Sequence, residues 1–157
     1  MNQMFIAHPN AKCTGSAVRF ELHPAEDGRE GAIVALLAPQ KTVGVYSQGM
    51  ITPPTFDWYN CVNMRLSPIE IAFMLEVLRG YHESIADDKG FFHRTKTHTR
   101  IVRFKHCIDP VPCYQLHVKE RDLATDAYQE IKICFGTAES ILISEVFAAS
   151  LVRMAFG

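Results

Sequence analysis

Val62-Asn63-Met64-Arg65-Leu66-Ser67-Pro68-Ile69-Glu70-Ile71 changes its period half-way along. Up to Leu66 it alternates as a half-buried strand does, with Val62, Met64 and Leu66 on one face and Asn63 and Arg65 on the other. From Ser67 onward it opens a helix. Ser caps, Pro suits the first turn, and Glu three residues after Ser completes a capping box. Ile71, Met74, Leu75 and Leu78 then repeat at helical spacing, Glu76, Arg79 and Glu83 take another face, and Gly80 marks the end. The later stretch Ile131-Lys132-Ile133-Cys134-Phe135-Gly136-Thr137-Ala138-Glu139 superposes on this one without a gap. Val62, Met64, Glu70, Glu76 and Val77 fall on Ile131, Ile133, Glu139, Glu145 and Val146.

Working outward, each junction closes a run of strands. Ala17 to His23, Gly31 to Leu37, Thr42 to Ser47 and Asn60 to Leu66 precede the first helix; Gly90 to Thr95, Arg100 to His106, Tyr114 to Lys119 and Tyr128 to Phe135 precede the second, Thr137 to Ala155. The expected architecture is α+β. A β-β-β-β-α unit is used twice, over residues 14–83 and 89–156 of a single domain 1–157, giving two antiparallel four-stranded sheets with two helices packed on one side.

With 48% hydrophobic and 21% charged residues in 157, the chain has the make-up of a globular domain and not of a disordered one. The longest apolar stretch, Ala32 to Ala38, is too short to span a bilayer, and Met1 to Lys12 lacks the pattern of a signal peptide, so the expected location is the cytoplasm. Five cysteines without a Cys-x-x-Cys pair fit reduced thiols. Cys107 and Cys113 flank an Asp109-Pro110-Val111-Pro112 turn, which leaves a redox or metal role open for that pair.

Catalytic signatures are missing: no Gly-x-Ser-x-Gly setting, no phosphate-cradling glycine loop and no His-Glu-x-x-His helix. The expectation is a protein that is not an enzyme and needs no cofactor. His93 and His98 have no nearby Cys, Asp or Glu in sequence to complete a metal site, and helix capping accounts for Glu70 and Glu139.

Net charge is only -1, yet Lys89 to His106 holds Lys89, Arg94, Lys96, Arg100, Arg103, Lys105 and three histidines with no acid. If Val18, Val62, Leu116, Val118 and Ile133 point inward, Arg19, Arg65, Gln115, His117, Lys119 and Lys132 point outward, with Arg103 and Lys105 on the same side. Such a face can track a phosphate backbone while Phe56, Trp58, Phe91 or Phe92, each beside a turn, stack on unpaired bases. A merely solvated sheet face with its aromatics in the core is the competing reading. Phe20 and Phe104 are assigned to the core.

These features together resemble the Whirly-like superfamily, which includes the plant Whirly proteins, the kinetoplastid mitochondrial RNA-binding proteins and, as a half-sized relative, the transcriptional coactivator positive cofactor four. The resemblance covers Thr14 to Ala155. It rests on the element order and on Gly15-Ser16-Ala17-Val18-Arg19-Phe20, Phe56-Asp57-Trp58, Leu66-Ser67-Pro68-Ile69-Glu70-Ile71, Leu78-Arg79-Gly80 and Lys89-Gly90-Phe91-Phe92-His93-Arg94, signatures similar to those of bacterial and phage or mobile-element members. It implies a sequence-tolerant binder of single-stranded DNA or RNA assembled as a homotetramer, helices in the shared core and sheets outward. The Lys-Gly-Lys-Ala motif of the plant proteins is absent, the matching stretch being Cys13-Thr14-Gly15-Ser16-Ala17, so the larger plant-type particles are not implied. The residues nominated for nucleic acid, from charge and alternation, are Arg19, Trp58, Arg65, Phe91, Phe92, Arg94, Lys96, Arg100, Arg103, Lys105, Lys119 and Lys132. The alternative function is an oligomeric scaffold held by the closing helix, whose Leu151, Val152, Met154 and Phe156 are apolar for a terminus.

Overall fold

A computed structural model describes residues 3–157. Its first sheet is an antiparallel meander of β1 (Gln3–His8), β2 (Ser16–His23), β3 (Ala32–Thr42) and β7 (Val62–Leu66). Between β3 and β7 lie a hairpin of β4 (Val45–Ser47) and β5 (Met50–Thr52), which pairs only with itself, and the two-residue β6 (Thr55–Phe56), which pairs the far end of β3. Helix α1 (Pro68–Leu78) and a short 3-10 turn follow. The second sheet repeats the meander with β8 (Phe91–Arg94), β9 (His98–Cys107), β10 (Cys113–Asp122) and β11 (Tyr128–Phe135), and α2 (Thr137–Phe156) closes the chain.

The α+β architecture of two antiparallel sheets and two helices is as read from the sequence; two strands are not. Strand β1 was not anticipated, because Met4-Phe5-Ile6-Ala7 is apolar on both faces and shows no alternation. It lies before residue 14, where the first unit was expected to begin. The third strand expected at Thr42 to Ser47 is instead the end of β3 and the start of the β4–β5 hairpin.

Both junctions work as their residues dictate. The Ser67 side chain accepts from the Glu70 backbone amide at 3.4 Å, and Glu70 Oε1 accepts from the Ser67 amide at 3.1 Å. At the other end of α1, Gly80 sits at φ +80°, Gly80 N donates to Val77 O and Tyr81 N to Glu76 O, the paired bonds of a Schellman stop. In α2, Glu139 Oε1 accepts from the Gly136 amide at 3.1 Å. Each capping glutamate is also held by a histidine from the first strand of the other sheet: His8 reaches Glu139 at 2.9 Å and His93 reaches Glu70 at 2.5 Å. The two units thus clasp each other's helix starts.

The inner faces of both sheets and the facing stripes of both helices make one core. Val18, Phe20, Leu37, Val62, Met64 and Leu66 meet Val102, Phe104, Leu116, Val118, Ile133 and Phe135 around Ile71, Met74, Ile143 and Phe147. Phe20 packs edge-on against Phe147 with centroids 5.2 Å apart. The sheets also touch at β11, where Ser16 Oγ donates to Lys132 O at 2.5 Å and Gln129 Nε2 to Asn60 O at 2.6 Å. No helix among the described residues is long and apolar enough to cross a membrane.

Candidate nucleic-acid interface

Burial of one face of the second sheet leaves the other to solvent, and register decides what stands there. The row Arg94–Thr99–Arg121–Tyr128 crosses all four strands, next to Phe92–Ile101–Lys119–Glu130. Then come Arg103–His117–Lys132 and Lys105–Gln115–Cys134. Among the described residues at these outward positions, Glu130 is the single carboxylate against Arg94, Arg103, Lys105, Lys119, Arg121 and Lys132.

Several of these cations are partly engaged. Lys119 Nζ lies 4.9 Å from the Tyr128 ring centroid, Lys132 is 3.8 Å from Glu130, Lys105 is 4.0 Å from Asp88, and Arg121 pairs with Asp126. At the exposures seen here such pairs hold weakly, and a phosphate can replace the carboxylate. Arg103 has a buried Nε with no hydrogen-bond partner among the described residues. Beside it, His117 is 2.6 Å from Glu130. Burial first, then Lys132 and Arg103, push the His117 imidazole below its ordinary range against the pull of Glu130, so at neutral pH it is an uncharged member of the row.

Five nominated cations therefore stand together on this face: Arg94, Arg103, Lys105, Lys119 and Lys132. Lys96 is exposed in the β8–β9 turn beside them. Phe92, 66% exposed, is the open ring. Arg100 is a correction. It lies two residues from Val102 and four from Phe104, on the inward face, and pairs with buried Glu120. Phe91 is another, half-buried on that inward face with its ring 6.2 Å from Phe73.

Arg19, Trp58 and Arg65 belong to the outer face of the first sheet. Trp58 is covered rather than open: the Arg19 guanidinium lies 5.2 Å from its ring centroid, Phe5 packs at 6.0 Å, and Arg19 also pairs with Glu21 at 2.9 Å. Arg65 is exposed and donates from Nη2 to Glu30 O at 2.9 Å. It lines a groove of about 720 Å³ with Asn63, Phe92 and Arg94, in which Glu70, His93 and Arg100 also show, at the edge where the second sheet meets β7. Sequence reasoning missed Arg121 and Tyr128. The alternation Gln115, His117, Lys119 continues to Arg121 because β10 runs to Asp122, beyond the strand expected at Tyr114 to Lys119.

Against solved structures the chain aligns along almost its whole length. WHY1 from Arabidopsis thaliana superposes with a TM-score of 0.73 at 16% identity, covering 98% of this chain and 86% of that one. The chain has the Whirly-like fold. The plant transcriptional regulator PBF-2 gives 0.72 at 16% identity, with 98% and 90% covered. A guide-RNA-binding protein complex bound to a guide RNA gives 0.61 at 18%, with 96% and 89% covered. No protein-family model and no curated protein sequence matches the chain.

Proposed function

We propose that this protein binds single-stranded DNA or RNA, with little regard to sequence, across the outer face of its second sheet. The observation that carries the reading is the register of cations there: with one carboxylate among them, Arg94, Arg103, Lys105, Lys119 and Lys132 form rows spaced by the strands themselves. Phosphates engage the cations, releasing counterions. Exposed Phe92, with Tyr128 at the opposite edge, offers rings to unpaired bases at about 1 to 3 kcal/mol per stacked base. The Whirly-like fold, shared with a protein solved on a guide RNA, supports this reading, as do the signatures similar to bacterial, phage or mobile-element members. The role is in DNA metabolism or transcription and is not enzymatic. A cytoplasmic setting fits the five free thiols.

The protein works as a homo-oligomer, a tetramer on the family resemblance. Ile69 and Phe73 on α1 and Ile141, Leu142 and Val152 on α2 are all exposed in the single chain, an apolar helical surface opposite the cationic one. Several copies place several cationic sheets on one strand and raise avidity.

The test is a gel-shift panel of labelled single-stranded DNA, RNA and duplex at low salt and micromolar protein. A shift of the single strands that is lost in the double charge reversal Arg103→Glu and Lys132→Glu, with light-scattering mass unchanged, supports the proposal. An unshifted single strand sinks it and leaves the scaffold alternative.

A further inference from the structure

Three of the five cysteines converge at one corner of the outer face. Cys107 and Cys113 are the last register pair of the β9–β10 hairpin, and Cys134 stands on β11 opposite Gln115, one outward position along from Cys113. Alternation puts all three on the side of Lys105 and Arg103. Cys107 and Cys134 are the two thiols that neighbour Cys113. Cys134 is exposed, Cys107 and Cys113 are half-buried, and all are free.

We propose that Cys107, Cys113 and Cys134 form an oxidation site for hydrogen peroxide or an organic peroxide, which ends in a Cys107–Cys113 disulfide. Directly opposed residues have Cα atoms about 4.5 to 5.5 Å apart, within the roughly 4.4 to 6.8 Å a disulfide spans. Exposed Cys134 meets the oxidant first: its sulfur takes one peroxide oxygen, the O–O bond breaks, and water or an alcohol leaves. Cys113 then attacks that sulfur. An S–S bond replaces the S–O bond, and the Cys113 proton departs with the hydroxyl as water. Cys107 next attacks Cys113; the Cys107–Cys113 bond forms, Cys134 is released, and the Cys107 proton moves to it. In sum, two thiols and one peroxide give one disulfide plus two molecules of water, or one of water and one of alcohol.

Burial, then the neighbouring Cys134 and Cys107, push the Cys113 thiol up to about 11. It is therefore a protonated thiol at neutral pH, and exposure is what brings peroxide to Cys134 first. A soft-metal site is the rival use of three thiols. Among the described residues no group of three or more His, Cys, Asp or Glu is arranged to hold a metal ion, which favours the disulfide.

The site carries its own controls. Cys13 Sγ donates to Gln40 O at 3.8 Å, and burial pushes the Cys61 thiol up. The experiment treats the reduced full-length protein with hydrogen peroxide, alkylates it, and maps peptides without reduction by mass spectrometry. Expected is an intramolecular Cys107–Cys113 link, reversed by dithiothreitol, while Cys13 and Cys61 remain alkylatable. Cys113→Ser loses the link and leaves Cys134 as a sulfenic acid that dimedone traps; Cys134→Ser slows link formation without moving it. Circular dichroism of both variants confirms the fold. Cross-links between chains, equal oxidation of Cys13 or Cys61, an unchanged rate in Cys134→Ser, or stoichiometric zinc held by the thiols against peroxide would each overturn the proposal. None of these readouts involves nucleic acid.

Discussion

Arg100 and Arg103 separate two kinds of arginine that charge alone cannot tell apart. Arg103 points outward, whereas Arg100 is side-chain 12% exposed and paired with Glu120, toward which His98 also turns at 3.8 Å. Arg100→Ala strands a buried carboxylate and is expected to cost about 3 kcal/mol in denaturant unfolding. The salt dependence of oligonucleotide binding stays unchanged in that variant. Lys119→Ala or Lys132→Ala should do the reverse, with unfolding near wild type and each lost phosphate contact lowering the slope of log K against log salt by about 0.7. His117 adds a pH test. Its lowered pKa leaves it neutral at pH 7, and a nearby phosphate favours the charged form, so affinity should rise as pH falls below about 6.5, and His117→Gln should remove that part of the rise. A titration from neutral to mildly acidic pH checks it. The alternation that puts Arg103 outside also puts Arg100 inside, so this distinction was legible in the sequence; ranking by charge density hid it. Phe91, nominated for its place beside a turn, is decided the same way, because it lies opposite buried Val102 and so faces inward.

Elements were most legible where local chemistry settles the backbone and least where only distant pairing does. The two strand-to-helix junctions were readable because a cap, a proline and a glutamate act within four residues of one another. Strand β1 exists because β2 offers it an edge, with Phe5 on Arg19 and Ile6 on Val18, and nothing within Gln3–His8 announces that pairing. The β4–β5 hairpin deceived for the opposite reason, having strand-like residues but no sheet to join. What capping contributes can be measured through Glu70. Burial alone would raise its carboxyl, but bonds to His93 and Ser67 outweigh burial and hold it below the ordinary 4.5. A carboxylate depressed in the folded state stabilises fully above its unfolded value, and that contribution is lost as pH falls through the folded one. Stability should therefore decline on acidification below about 4.5, and Glu70→Gln should lower neutral-pH stability while flattening part of the decline. Ser67→Ala, removing the other half of the box, should cost about 1 kcal/mol.

At the scale of the whole molecule, the chain has two contrasting surfaces: cationic sheet rows on one side and helices with exposed Ile69, Phe73, Ile141, Leu142 and Val152 on the other. Whole-chain composition, with its net charge of -1, conceals this division, because most of the acids lie outside the strands of the second sheet. If copies associate through the helices, folding is linked to association and the melting temperature must rise with protein concentration. Leu142 is the residue to change. It is half exposed on α2 and beside an apolar groove of about 360 Å³ lined by Met4, Phe20, Leu22 and Ile33. Leu142→Glu leaves the inward stripe of Ile143 and Phe147 intact but places charge on the outward side. The expected outcome is a monomeric mass by light scattering, a melting temperature independent of concentration, and weaker binding to long single strands than to short ones relative to wild type, because avidity is lost while each sheet keeps its cations. A wild-type melting temperature flat across a hundredfold range of concentration would place the apolar helical surface outside any self-association.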